Sequence, residues 1–277
     1  MLHKGKFMMN KEDELLISET KKLIIKTATE CLSNHIPSPL SCLEILYTLY
    51  TRVANINLEN AKDLIRDRVI LSKEHARLGQ VCLLTNLGLL PKDINKEWQQ
   101  NGGRVGHDMF NGLGIDEIST IDVSSSSLGQ GLGLGIGYAI AAPKNNIYVV
   151  VGDGELQEGS CWEAIMFISQ HQIPNLTIIV DRNYLQISDY TKNVIDTSST
   201  LKKRMESFDF DVLECDGHNI DELEKCFKTK TKKPKCVIAN TIKGKEVDFL
   251  MQEKGCDYIH GWIYTQEEYN KILQEVK

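Results

Sequence analysis

The sequence predicts an α/β fold: an open, mainly parallel sheet flanked by helices on both faces. Three observations predict it. Residues 147–151 and 176–180 are short apolar runs rich in β-branched side chains, the mark of strands buried on both faces. Between them, residues 156–170 repeat apolar positions at helical spacing, with Trp162, Ile165, Met166 and Ile168 in the stripe, before Pro174 ends the segment. Two further strand-like runs, 210–215 and 235–241, bracket a short helical pattern at 220–229 and extend the sheet. A strand–helix–strand crossover places consecutive strand ends on one edge of a parallel sheet.

The remaining elements follow in order. Residues 12–33 read as an amphipathic helix, its apolar face supplied by Leu15, Leu16, Leu23, Ile24, Ala28, Cys31 and Leu32. Two prolines in three residues, Pro37 and Pro39, predict a loop, which sets His35 between that helix and another over 41–52. Residues 67–76 read as a strand, a loop and the start of a helix, and 102–114 as a glycine-rich loop holding His107. The glycines at 129, 131, 133, 135 and 137 do not complete GxGxxG in any register, because Leu134, Ile136 and Tyr138 occupy the closing positions. They predict instead a helix with bare faces for close packing against the sheet or a neighbouring protomer. A polar helix over 265–277 closes the chain, while His3, His171 and His218 fit no site pattern and read as surface or structural. No repeat or linker divides residues 1–277, so one domain is the simplest account.

Composition narrows the function. The apolar fraction of 42% supports a sizeable core, and a net charge of −6 gives no reason to expect nucleic acid or an anionic membrane as partner. Eight cysteines without a CxxC spacing argue against a zinc ribbon or redox motif and for free thiols in a reducing compartment. The first residues are charged throughout, and the longest apolar stretch, 132–142, is too short and glycine-rich to span a bilayer, so a cytoplasmic location is expected.

The candidate chemistry lies at the two strand ends. The first run stops at Gly152-Asp153-Gly154 and the second at Asp181-Arg182-Asn183. In an open α/β sheet this edge is where ligands bind. A carboxylate, an amide oxygen and a carbonyl from the next turn make a hard oxygen set suited to Mg²⁺, which leaves coordination positions for phosphate oxygens. Gly152 and Gly154 let a diphosphate approach the backbone. The plainer reading makes Gly-Asp-Gly a tight turn and Asn183 a turn residue; the strand context and the distant Asn favour a site.

GDGELQEG followed by VDRNYLQ resembles the thiamine-diphosphate motif in its transketolase form. The resemblance implies that Asp153, Asn183 and the Leu185 carbonyl hold Mg²⁺ (or Ca²⁺ or Mn²⁺), with Gly152, Gly154 and Glu155 beside thiamine diphosphate. His35 matches a substrate-channel histidine, although Ile36-Pro37-Ser38-Pro39 departs from the family's Pro-Gly-Gly-Ser. DRVILSKEHA is similar to the family's DRFVLSKGHA, which assigns Lys73 and His75 to cofactor and substrate and puts Glu74 at a glycine position. Gly106-His107 resembles a substrate-facing GHPE loop, with Asp108 for proline. VSSSSLGQG resembles the segment closing over the cofactor, which brings in Ser127 and Leu128, with Ser126 for glycine. TIKGKE resembles TIKGKG, giving Lys243 as a diphosphate contact and Glu246 in the last glycine position, and His260 matches a diphosphate-contacting histidine. Glu158 matches a residue at the family's dimer interface that links two active sites.

The resemblance covers nearly the whole chain but only the first domain of a transketolase. It implies that the pyrimidine-binding domain, with the Glu needed beside the aminopyrimidine, and the C-terminal domain lie on a partner chain, giving an α2β2 assembly. The activity implied is transfer of a two-carbon ketol unit from a ketose to an aldose, with His35, His75 and His107 moving protons and holding hydroxyls. Alternatives are a transketolase-like enzyme specialised for a modified or nucleotide-linked sugar, and a non-catalytic scaffold subunit; retention of the site residues speaks against the scaffold. GDG with a distant Asn occurs in 2-oxo acid dehydrogenases too, on their α chain, but the SLGQG and TIKGK segments favour transketolase.

Overall fold

A computed structural model describes residues 10–64, 66–106, 120–123, 127–187, 189–252 and 264–276. Helix α1 (Lys11–Glu30) is capped by Asn10, whose side chain accepts the Asp13 N–H at 2.9 Å. It ends sooner than the apolar pattern suggests. Leu15 and Leu32 are exposed, while Ile24 and Ala28 are buried as expected and are joined in the buried stripe by Ile17 and Ile25.

Helix α2 (Pro37–Thr48) corrects the expected loop, for both prolines lie in its first turn. The N–H groups of a first turn have no partners within the helix, so proline forfeits nothing there, and its fixed φ favours helix entry. The helix begins four residues before its expected start, and a π turn over Leu49–Val53 extends it. His35 stays in the short connection between α1 and α2.

Strand β1 (Arg68–Leu71) leads through a 3₁₀ turn (Glu74–Ala76) into α3 (Arg77–Asn86). The glycine-studded helix is α4 (Gln130–Ala141), followed by β2 (Ile147–Gly152), α5 (Gly159–His171) and β3 (Leu176–Arg182). A hairpin of β4 (Leu185–Gln186) and β5 (Asp189–Tyr190) and the short α6 (Thr191–Val194) come next. Then follow α7 (Leu201–Ser207), β6 (Asp211–Asp216), α8 (Ile220–Lys228), β7 (Lys235–Asn240), α9 (Asp248–Gln252) and α10 (Gln266–Glu275).

The sheet has the order β1-β2-β3-β7-β6 and every pairing is parallel, with Val149 opposite Ile178 and Val180 opposite Ile238. Its strands alternate between two cores. Val69, Tyr148, Val150, Ile179 and Val237 face a layer of α1, α2, α3, α8 and α10. Ile70, Val149, Val151, Ile178, Val180 and Ile238 face α4, α5 and α7. Each such fully buried Val or Ile contributes roughly 1.5–3 kcal/mol, which is why the central strands read as unbroken apolar runs.

The glycines of α4 divide between two sides. A Cβ on Gly131 would collide with Ser72, and one on Gly135 would lie 2.5 Å from Val149 Cγ2, so these two allow the helix to sit on the sheet. Gly133 and Gly137 have open space around them, next to exposed Leu134 and Ile140.

Candidate active site

The C-terminal ends of β1, β2, β3 and β7 converge on a cleft of about 280 Å³. Each strand delivers polar groups there because its apolar run stops at that edge. From β2 comes Asp153, 2% exposed and fixed by three donors: Gly154 N–H to Oδ1 at 3.0 Å, and Tyr184 N–H at 2.9 Å and Ser198 Oγ at 2.7 Å to Oδ2. Burial pushes its pKa up to about 6, although the Ser198 and Tyr184 hydrogen bonds favour the anion. From β3 comes Asn183, whose Oδ1 accepts the Leu185 N–H at 3.0 Å while Nδ2 donates to Ser41 Oγ at 3.1 Å. Tyr184 between them has φ +62°, a left-handed conformation that costs a non-glycine residue about 1–2 kcal/mol. Its own N–H on Asp153 helps hold that turn.

Asp153, Asn183 and Leu185 line the same cleft. Among the described residues no three His, Cys, Asp or Glu side chains cluster as a metal site. A cation here would rest on one carboxylate with neutral oxygens, the mixed set that suits Mg²⁺ with phosphate ligands rather than zinc. The two glycines serve different ends. A Cβ on Gly152 would have Glu155 as its nearest neighbour at 3.8 Å, so its face opens on the cleft. A Cβ on Gly154 would lie 2.8 Å from Gln186 Cβ, so this glycine permits β4 to approach the turn.

Lys73, His75 and Lys243 line the cleft too, and the His35 ring lies 6.3 Å from that of His75. Leu128 forms part of the wall, and Ser127 beside it is exposed. Glu155 is buried; its carboxylate accepts the Ser72 hydroxyl, the Gly129 N–H at 2.8 Å and the Gly152 N–H at 2.9 Å. Glu158 lines the rim, exposed and extended, at the N-cap of α5 rather than within its first turns. His107 and His260, with Asp108 and Ser126, lie outside the described residues.

Two departures from the glycine pattern have local explanations. Glu74 sits in the 3₁₀ turn without positive φ, and its carboxylate pairs with Arg77, which also donates to the Val123 carbonyl at 3.1 Å. Its charge is thereby neutralised. Glu246 keeps the left-handed backbone a glycine would favour, with φ +68°, and its carboxylate holds Lys21 Nζ at 2.6 Å.

Sequence reasoning missed Asp181. It is wholly buried at the end of β3, paired with Lys73 and bonded by the Thr241 hydroxyl and by Ser41 Oγ at 2.8 and 2.9 Å. Burial acts to lower the Lys73 pKa, and the surrounding acidic groups, Asp181 foremost with Asp153 behind it, together outweigh it and leave the ammonium above its usual value. Ser41 links Asp181 to Asn183, so the amide orientation at the cleft is set from beneath. The signal was present: a carboxylate ending an otherwise apolar strand must find a cation or several donors. Ser198, a donor to Asp153 from 45 positions away, carried no comparable signal.

Residues 12–275 match the family described as transketolase, thiamine diphosphate binding domain. The chain belongs to the transketolase family. An apulose-4-phosphate transketolase subunit of Actinobacillus succinogenes is 35% identical over 267 residues, covering 93% of this chain and 92% of that protein. A 6-deoxy-6-sulfo-D-fructose transketolase subunit of a Clostridium species is 31% identical, covering 93% of each. Among solved structures, transketolase from Leishmania mexicana superposes with a TM-score of 0.80 at 23% identity over 96% of this chain, which shows the shared fold. The chain spans 41% of that transketolase's length and 92% of the Actinobacillus protein's. Among the described residues, no helix is long and apolar enough to cross a membrane.

Proposed function

We propose that this chain is the N-terminal, diphosphate-binding subunit of a split transketolase, which moves a two-carbon ketol unit from a ketose to an aldose. The observation carrying the reading is the convergence of Asp153, Asn183 and Leu185 with Lys243 and His75 on one cleft at the sheet's C-terminal edge, in a member of this family. Asp153 and Asn183 would hold Mg²⁺ through side-chain oxygens and Leu185 through its carbonyl. Lys243 and His75 offset the diphosphate charge and donate hydrogen bonds, with His260 as a further contact. The open face of Gly152 gives the diphosphate room against the backbone. Thiamine diphosphate, when bound, supplies the electron sink for breaking the carbon–carbon bond beside a ketose carbonyl. His35, His75 and His107 hold sugar hydroxyls and move protons at their imidazole nitrogens. Glu158, exposed at the rim, would be within reach of a partner chain that covers the cleft.

The pyrimidine-binding domain, with its catalytic Glu, and the C-terminal domain belong to a second polypeptide, in a cytoplasmic α2β2 assembly. Support comes from relatives that are themselves named as transketolase subunits, which this chain matches over more than nine-tenths of their length, beside solved transketolases more than twice as long. A modified sugar is favoured as substrate, because the relatives covered along most of their length are named for apulose-4-phosphate and 6-deoxy-6-sulfo-D-fructose. The test is to co-purify the chain with the product of the neighbouring reading frame and titrate thiamine diphosphate and Mg²⁺ into chain and complex. Tight binding by the complex alone, with ketol transfer in a ketose–aldose screen, is the expected result. Binding by neither would overturn the reading.

A further inference from the structure

Behind the cleft runs a chain of polar groups, buried at Lys21, Glu44 and His218 and reaching the surface at Ile242 and Glu246, that joins α1, α2, the β6–α8 turn and the loop after β7. His218, in the β6–α8 turn, has a side chain only 5% exposed, and its Nδ1 lies 3.0 Å from Glu44 Oε2 on α2. Lys21 of α1 reaches Glu44 Oε1 at 3.3 Å and Glu246 at 2.6 Å. On the far side of the imidazole, the Ile242 N–H donates to Nε2 at 2.8 Å.

These contacts settle the tautomer. A backbone N–H can only donate, so Nε2 must present its lone pair and the ring proton must reside on Nδ1. Glu44 is the matching acceptor. Burial alone would raise its pKa, but the His218 hydrogen bond and the Lys21 charge bring it down to about 2, so it remains an anion. His218 therefore donates on one side and accepts on the other, as a spacer of fixed length between α2 and the backbone of Ile242.

Ile242 precedes Lys243, one of the two buried lysines of the cleft. The neighbouring residues of this loop are tied elsewhere: Thr241 to Asp181, the Gly244 N–H to the Pro37 carbonyl at 3.1 Å, and Glu246 to Lys21. We propose that His218, as the neutral imidazole protonated on Nδ1, is a positioning residue for Lys243: by accepting the Ile242 N–H it sets the backbone from which the lysine enters the cleft. This rests on the reading of the cleft as a diphosphate site, and it assigns a role to a histidine that no motif singled out.

Two substitutions separate the two faces of the ring. His218→Gln can place an amide oxygen where Nε2 stands and keep the Ile242 acceptor while losing the Nδ1 donor. His218→Asn can keep a donor near Glu44 and leaves the Ile242 N–H without its acceptor. Hydrogen exchange in the segment 239–247 of the full chain, without cofactor, reads the tie directly. Calorimetry of the complex with thiamine diphosphate and Mg²⁺ reads its consequence. Loss of the acceptor is expected to speed exchange and weaken binding by up to about tenfold each, the scale of one intramolecular hydrogen bond, in His218→Asn, with His218→Gln near wild type. Equal loosening in both variants would overturn the proposal, since the Glu44 contact would then be what matters. Fast exchange in His218→Asn with unchanged affinity would overturn it as well, reducing the tie to a structural one. A wild-type complex that binds no thiamine diphosphate would instead count against the diphosphate reading, and with it against this role for Lys243.

Discussion

Replacing Lys73 with methionine tests whether the lysine serves the fold before it serves a ligand. Its ammonium and the Asp181 carboxylate form a pair with side-chain exposures of 1% and 0%. Methionine keeps most of the stem's volume and leaves Asp181 charged, buried and held only by Ser41 and Thr241. Breaking a buried pair from one side costs about 3–5 kcal/mol, because an uncompensated charge remains. At about 2 °C per kcal/mol for a chain of this size, the midpoint of thermal unfolding falls by roughly 6–10 °C. Asp181→Asn alone strands the ammonium and has a similar effect. The double variant removes both charges and is expected to lose less than either single one. Urea denaturation of the isolated chain, followed by circular dichroism without cofactor or cation, measures all four states. Losses below about 1 kcal/mol for Lys73→Met, or a double variant equal to the sum of the singles, would refute the reasoning. Lys73 would then be free to serve a diphosphate at no structural cost.

The burial that lifts Asp153 to about 6 predicts opposite pH effects on stability and on cation binding. The folded value stands above the ordinary one of 3.8, so this carboxyl favours the metal-free fold below about pH 4 and loses that contribution as pH rises through 6. Mg²⁺ needs the anion, so the cation dependence of cofactor binding weakens by about tenfold per pH unit below 6; a pH-independent titration would refute this. Gly131→Ala forces α4 off Ser72 and is expected to cost about 1–3 kcal/mol, whereas Gly133→Ala, with open space around it, gains up to about 1 kcal/mol in the isolated chain. Equal effects in chemical denaturation would show that α4 does not sit on the sheet as described. Glu246→Gly relieves the left-handed backbone but removes the Lys21 contact, so its net effect on unfolding stays within about 1 kcal/mol, while Glu246→Ala loses both compensations and is the more damaging.

The sequence made the central crossover legible because Ile147–Gly152 and Leu176–Arg182 are buried along their whole length and so carry near-continuous apolar runs. Asp153 and Asn183 could be placed at one edge from topology alone, since parallel strands joined by a helix end on the same side. What escaped was of two kinds. The prolines of α2 read as helix breakers because the rule that they interrupt helices fails in a first turn. The ties among Ser41, Lys73, Asp181 and Thr241 join segments up to 200 positions apart, and no local period encodes such a meeting. Strands β4 and β5, two residues each, are too short to leave a pattern. His218 escaped for a related reason: its partners lie on α2 and after β7, and an isolated histidine in a turn carries no mark of burial.

The carboxylate of Glu155 collects hydrogen bonds from the end of β1, the start of α4 and the end of β2. Three pieces of chain beside the cleft are thus joined at one buried point by their own polar groups. A cleft wall tied in this way can meet another surface without rearranging at that point. In the proposed two-chain assembly, these three pieces would need no ordering among themselves ahead of docking, which fits ordinary protein association rates of about 10⁵–10⁷ M⁻¹s⁻¹.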